Sequence, residues 1–287
     1  MTNKPLNAKR LGIYLLIVFA ASLMLILFRK AADESRTAFF FVQQLFCWSP
    51  AIACIITRAV TKEGFRNMKL HLRLKGDLQY YILAFVLPLV FVPVMEILPV
   101  VLNGHRAWLG GFTWTNMTAA VLQLGAAAVV GSVGLLGEEL GWRGYMNDKM
   151  EPLLGTLGTC LAGGAVWGLW HFPNDILNYL NGYVSFPFAV ENAAQRTVIL
   201  IMLGAVLMWL TVKTDSVWPA VILHFVYNSA IGVVVNMLEM GGMTENYEAN
   251  ESEKVITDIC ELAPVALLGV IFAVLMLRDK RKRSKSE

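Results

Sequence analysis

The chain contains 287 residues, of which 56% are hydrophobic and only 16% are charged. Soluble domains average about 45–50% apolar and about 25% charged residues, so this composition excludes an ordinary soluble protein. No polar block of domain length interrupts the chain, and the net charge of +3 gives no indication of nucleic-acid binding. We therefore predict a single integral membrane domain over residues 1–287.

Eight apolar segments follow one another along the sequence. The first, Leu11–Phe28, has 18 residues without a charge and ends at Arg29-Lys30, which favours an uncleaved membrane helix over a signal peptide. The other predicted spans are residues 37–57, 78–102, 114–147, 154–180, 197–213, 216–238 and 260–277. The sequence thus predicts an all-α, polytopic membrane protein with about eight transmembrane helices.

The basic residues indicate the orientation of these spans. With the N-terminus inside, 18 of the 24 Lys and Arg residues fall on the cytoplasmic side. Six lie between residues 58 and 75, and six lie in the tail after Leu277. We predict a multi-pass protein with both termini in the cytoplasm, and the basic tail favours a bacterial plasma membrane.

The first motif of ionisable residues lies at the end of the fourth predicted span. Residues 108–137 carry no charge, and then Glu138 and Glu139 stand side by side. Glu139 and Arg143 are spaced i, i+4, which suits a helical ion pair. Glu138 lies about 100° further round the helix and lacks that partner. An ordinary helix-end ion pair explains Glu139 and Arg143 but leaves Glu138 unexplained.

Two histidines occupy later predicted spans. His171 follows a charge-free run, residues 152–170, and Asp175 four residues on either orients its imidazole or begins the outer loop. His224 and Asn228 are spaced i, i+4 on the seventh span, so both are expected on one helix face. A single histidine packed in the core is a plain explanation for each, but a His/Asn pair indicates a polar cavity.

Ionisable groups at membrane depth cost several kcal/mol unless they are paired or hydrated. Three helices that each carry such groups are best explained if the groups meet. A carboxylate with a histidine can deprotonate water, and amide or cationic donors can stabilise an oxyanion, so the set suits peptide hydrolysis. Two histidines and a glutamate are also common zinc ligands, which leaves a metalloprotease site open.

At these residues the chain resembles the CPBP family of intramembrane proteases, which includes CAAX prenyl proteases and bacteriocin-processing or self-immunity proteins. Its pattern is EExxxR, FxxxH and HxxxN or HxxxD on successive membrane helices, matched here within residues 115–238. Trp167 stands where the family has phenylalanine, a departure expected to affect packing more than chemistry.

The resemblance implies a catalytic core over residues 115–238 and a role for each motif. Glu138 and His171 would activate the attacking water, and His224 and Asn228 would form the oxyanion site. Glu139 and Arg143 would support the helix geometry. No cofactor is required by this mechanism; if zinc is present, Glu138, His171 and His224 are its expected ligands.

The function predicted from the sequence is an intramembrane endopeptidase of the CAAX protease type. Its expected substrate is a membrane-associated peptide or a lipidated protein, and its other partner is the lipid bilayer. The alternative is a non-catalytic immunity or partner-binding protein of the same fold. A proton-coupled transporter is a third reading, but the internal repeats typical of transporters are not visible in the sequence.

The predicted orientation is testable by cysteine labelling. In a version of the chain whose four native cysteines are replaced, single cysteines near Lys69 or Ser286 should resist a membrane-impermeant maleimide in intact cells. They should react after permeabilisation. A cysteine near Asn250, in the acidic loop predicted to lie outside, should react both in intact cells and in permeabilised cells. Labelling at Lys69 from outside would contradict the prediction.

Overall fold

The computed structural model describes residues 3–32, 35–244 and 249–283, so the labelling position Ser286 lies outside the described residues. The described residues form eight long α-helices and no strand, which confirms the all-α prediction. The helices are α1 (Lys4–Ala32), α2 (Arg36–Val60), α3 (Leu78–Leu102), α4 (Trp114–Gly141), α5 (Asn147–Leu180), α6 (Phe186–Thr214), α7 (Trp218–Met240) and α8 (Glu251–Arg283). A 3₁₀ turn at Arg106–Gly111 precedes α4, and a π-helical turn at Trp142–Met146 joins α4 to α5.

Seven helical stretches in the described residues are long and apolar enough to cross a membrane, which supports a multi-pass membrane protein. Six of them are α1, α2, α3, α6, α7 and α8. The seventh, Val130–Leu180, has 51 residues and includes both the fourth and the fifth predicted spans. A straight helix of that length would measure about 75 Å, more than twice the roughly 30 Å of a bilayer core.

This long stretch is a hairpin with its bend at Gly155. The backbone of Gly155 has φ 70° and ψ 176°, a conformation that only glycine adopts readily. Trp167 on the returning arm contacts Glu138, and Gly163 lies beside Asn147. Residue numbers therefore rise on one arm as they fall on the other, so the two arms are antiparallel. The fourth and fifth predicted spans are thus separate, although the helix joins them with a single break.

Glycines let the first arm of the hairpin approach α2 closely. A Cβ atom at Gly137 would lie 2.8 Å from the carbonyl oxygen of Cys47, and one at Gly141 would lie 2.5 Å from the carbonyl carbon of Pro50. Small residues four apart on a membrane helix are typical of such close packing. The spacing of the glycines fixes the depth at which the two glutamates between them sit against α2.

The rest of the bundle encloses the hairpin. α5 packs most extensively on α6, which in turn contacts α8, while α1 and α2 cover the opposite side. α7 lies against α3 and α4. The largest buried side chains include Trp142, Trp167 and Trp170, all of which belong to the hairpin. The centre of the protein is therefore aromatic, and the ionisable residues of the hairpin lie within it.

An ionic cluster ties the bend end of the hairpin to the first two helices. Glu63, in the loop after α2, pairs with Lys149 and lies 3.3 Å from Arg10 and 3.8 Å from Arg58. The hydroxyl of Tyr145 donates to the same carboxylate at 3.1 Å. Partial burial tends to raise the pKa of Glu63, but the three cations outweigh it and hold that pKa below its usual value.

The close approach at Gly141 leads to a stability prediction. Replacing a helical glycine by alanine ordinarily stabilises a helix by about 1 kcal/mol. Gly141→Ala should instead lower the thermal unfolding temperature in detergent, because its methyl group would overlap Pro50. Gly232→Ala on α7 is the matched control, since a Cβ there meets no atom within 4 Å. Equal unfolding temperatures for the two variants would contradict the packing described here.

Candidate active site

The centre of the candidate site is the carboxylate of Glu139, which is completely buried. Its Oε1 atom accepts a hydrogen bond from Nη1 of Arg143 at 3.2 Å and another from Nδ1 of His224 at 2.8 Å. The i, i+4 ion pair predicted from the sequence is therefore present, and a histidine from α7 joins it. Because all three groups are buried, each depends on the others to offset its desolvation.

Glu138 faces a different side of the helix and has its own partner. Its Oε2 atom accepts a hydrogen bond of 3.1 Å from the indole Nε1 of Trp167, on the antiparallel arm of the hairpin. Glu138 is 5% exposed. Its carboxylate is thus held in position by a neutral donor and retains lone pairs for other hydrogen bonds, as a catalytic base requires.

Trp167 links the two glutamates. Its indole N–H donates to Glu138, its ring lies 4.0 Å from the Arg143 guanidinium, and its edge meets the ring of His224 at 5.1 Å. From the sequence, tryptophan in place of phenylalanine is expected to affect packing more than chemistry. The indole also donates the hydrogen bond to Glu138, which phenylalanine could not make because it has no N–H.

His171 lies one helical turn beyond Trp167, towards the end of the hairpin away from the bend. Its Nδ1 atom makes a 2.9 Å hydrogen bond with the carbonyl oxygen of Trp167. A carbonyl can only accept, so Nδ1 carries the hydrogen and Nε2 is left with its lone pair. In the described part of the chain no hydrogen bond joins His171 to Glu138.

Asp175 does not orient His171, as one of the two sequence readings suggested. It is buried within α5, pairs with Arg196 on α6 and accepts a hydrogen bond from Asn192 at 3.3 Å. Since α5 continues to Leu180, Asp175 does not begin the outer loop either. Its role is to join α5 to α6.

Asn228 is placed differently from His224, although the two are one turn apart on α7. His224 is buried against Glu139, whereas Asn228 is exposed. Within residues 3–32, 35–244 and 249–283 the side chain of Asn228 makes no hydrogen bond with another residue. Of the predicted His/Asn pair, His224 is therefore buried and hydrogen-bonded to Glu139, whereas Asn228 is exposed.

Glu138, His171 and His224 are the ligands expected from the sequence if zinc is present. No three His, Cys, Asp or Glu side chains in the described residues are gathered so as to hold a metal ion. The arrangement does not fit a three-ligand zinc site, so the chemistry below is derived without one.

The site also uses residues of α2 that the sequence analysis did not single out. Ser49 accepts a hydrogen bond from the indole of Trp170 at 3.2 Å, and Phe46 stacks on the same ring at 4.0 Å. The ring of His171 packs on Trp170 at 4.6 Å. These residues are uncharged and lie within a long apolar segment, so no sequence signal distinguished them from ordinary core residues.

Fold and site together define a polytopic membrane protein with a buried Glu-Arg-His group beside a second glutamate. Comparison with known proteins makes the class more specific. Residues 118–230, from α4 to α7, match the family model described as type II CAAX prenyl endopeptidase Rce1-like. The matched stretch contains all three motifs and supports the resemblance noted from the sequence.

A relative supports the same assignment. The chain is 25% identical over 173 residues to a protein of Methanococcus maripaludis named CAAX prenyl protease 2. That region is 60% of this chain and 54% of the relative, so the chain spans about half the length of the relative it matches.

The shared carboxylate of Glu139 predicts a large stability cost for removing one of its partners. Arg143→Ala leaves a buried, negatively charged group without its cation, which costs about 3–5 kcal/mol. We expect low yield and a lower unfolding temperature in detergent, and a similar loss for Glu139→Gln, which strands Arg143. The double variant should lose less than the sum of the two single losses; strict additivity would show that the ion pair carries no coupling.

Proposed function

We propose that this protein is an intramembrane endopeptidase in which Glu138 activates the attacking water. The observation that carries the proposal is the buried Glu138 carboxylate, held by Trp167 beside the Glu139–His224 pair. A base needs a fixed position and a free lone pair, and Glu138 has both. The Rce1-like domain around it supports peptide-bond hydrolysis as the reaction.

In the proposed reaction, Glu138 removes a proton from water while the water oxygen attacks the carbonyl carbon of the scissile peptide. The tetrahedral intermediate then expels the amine, which takes the proton back from Glu138. His171 positions the water, because its Nε2 lone pair can accept the second hydrogen of the same molecule. This arrangement also explains why Glu138 and His171 need no direct hydrogen bond.

The developing oxyanion is stabilised from α7. His224 donates through Nδ1 to the Glu139 carboxylate, which fixes the orientation of its ring. In the proposed mechanism the imidazolium form of His224 donates through Nε2 to the oxyanion, with Arg143 holding Glu139 in place. The amide of Asn228 is the second donor, and its exposed position leaves it available to a bound substrate.

The proposed substrate is a peptide at the membrane surface, including a segment of a lipidated protein. A relative named as a CAAX prenyl protease supports a lipid-modified chain, and an active site between membrane helices suits a substrate that is anchored in lipid. We place the enzyme in the cell membrane with both termini in the cytoplasm.

Glu138→Gln is the decisive test of this proposal. General-base catalysis contributes about 10²–10⁴-fold, so cleavage should fall below detection while the protein still inserts and purifies. The amide oxygen of glutamine can still accept from Trp167, which preserves the local structure. His171→Ala should likewise abolish cleavage. The measurement is proteomics of membrane peptides from cells with each variant.

The matched control is Glu191→Gln, which removes an exposed carboxylate paired with Lys254 and should leave the peptide profile unchanged. A Glu138→Gln protein that still generates the wild-type fragments would rule out glutamate-activated water. The non-catalytic immunity or binding function would then be the better account.

Asn228 separates the metal-free mechanism from the zinc mechanism. Loss of one oxyanion donor costs about 10²–10³ in turnover, so Asn228→Ala should bind substrate normally but cleave it that much more slowly. Metal content by elemental analysis should be substoichiometric in both proteins, and chelation should leave the activity of the wild type unchanged. One zinc per chain that is lost in His224→Ala, with activity restored only by added metal, would replace this mechanism by that of a metalloprotease.

A further inference from the structure

Two cavities lie behind the Glu139–Arg143 pair, on the side of Arg143 away from the catalytic glutamate. The larger has a volume of about 250 Å³ and opens between α5, α6 and α8. The smaller has a volume of about 10 Å³, and its lining includes three glycines, Gly163, Gly164 and Gly204. Arg143 and Asn147 line both cavities, so the two lie on either side of these residues.

The smaller cavity has the size and the polar groups for a water molecule. Its volume is close to the minimum that a single water needs. Trp142 lines it and has a buried indole N–H with no hydrogen-bond partner among the described residues. The guanidinium of Arg143 faces Gly204, since its Nη2 lies 3.5 Å from the position of a Cβ there, and Oδ1 of Asn147 lies 3.0 Å from that of Gly163. Two donors and an acceptor thus surround the space.

The charges around the larger cavity favour water over an ion. Its mouth has three ion pairs of opposite charge, Lys69–Asp148 at 2.6 Å, Lys213–Asp279 at 2.6 Å and Lys280–Glu151 at 2.7 Å. Deeper in, the charge of Arg143 is balanced by Glu139. The opening is therefore polar but electrically balanced, and neither an anion nor a cation is attracted by a net charge.

From these observations we propose that the two cavities form a water inlet that ends at Arg143. The inlet opens on the face predicted to be cytoplasmic, and its inner end holds a water bound by Trp142, Arg143 and Asn147. Trp167 joins this end to Glu138, because its ring stacks on Arg143 and its N–H donates to the Glu138 carboxylate. The role of the inlet rests on the proposed function: it supplies the water that each hydrolysis consumes within the membrane.

Hydrogen exchange of tryptophan side chains tests the inlet without reference to activity. The full chain, labelled with ¹⁵N at the indole nitrogens, is transferred to D₂O in lipid nanodiscs and followed by NMR. Trp142 and Trp170 are equally inaccessible, but the N–H of Trp170 is bonded to Ser49. The N–H of Trp142 should exchange about tenfold faster than that of Trp170, the factor expected for one protecting hydrogen bond. Equal or slower exchange at Trp142 would overturn the proposal.

Filling the smaller cavity provides a second test of the inlet. A Cβ at Gly204 makes only ordinary contacts, 3.5 Å and 3.8 Å, so Gly204→Ala should fold while its methyl group displaces the water. Exchange at Trp142 should slow to the rate of Trp170, whose own rate should not change, and Gly232→Ala should alter neither. Unchanged exchange at Trp142 in Gly204→Ala would also overturn the inlet.

The link to hydrolysis is measured separately, as turnover of a peptide found in the proteomic comparison. Gly204→Ala should lower turnover by about the factor by which it slows exchange at Trp142, with KM unchanged. Slowed exchange with wild-type turnover would show that the inlet does not feed the reaction. If the wild type cleaves no peptide, the proposed function fails while the exchange result still decides whether the inlet exists.

Discussion

A single carboxylate oxygen, Oε1 of Glu139, joins α4, the π-helical turn after it and α7. Arg143 on the turn after α4 and His224 on α7 both donate to it, and all three groups are buried. In a low-dielectric interior each of these groups would be unstable alone, so the pairing constrains where α7 can sit against the hairpin. The orientation of the His224 ring follows from that constraint, because Nδ1 is committed to Glu139.

The tryptophan at position 167 converts that structural group into part of a candidate catalytic site. Its ring packs on the Arg143 guanidinium, and its N–H holds Glu138. Two adjacent glutamates thereby acquire different surroundings: Glu139 is neutralised by an arginine, whereas Glu138 is held by an uncharged donor. Environment, and not residue type, distinguishes the two carboxylates, and the same tryptophan contacts both Glu138 and Arg143.

Close helix packing sets the depth of these groups. Gly137 and Gly141 bring the first arm of the hairpin onto α2, and Gly155 supplies the bend that returns the chain. With that register, Trp167 faces Glu138, and His171 lies a turn further along. The glycines at positions 163, 164 and 204 leave space on the other side of Arg143. Small residues thus determine both where the arms touch and where room for water remains.

The sequence by itself determined the class of the protein and most of the residues of its site. Long apolar segments can only be membrane helices, and the cost of ionisable groups within them drew attention to Glu138, Glu139, Arg143 and the two histidines. The i, i+4 spacing of Glu139 and Arg143 was sufficient to predict their pairing, because that contact is local to one helix. The tertiary structure decided the contacts between helices: the link from Glu139 to His224, the indole that holds Glu138, the contribution of α2 and the exposure of Asn228. These depend on the depth and rotation of each helix in the bundle, which arise from side-chain packing and which helical periodicity does not specify.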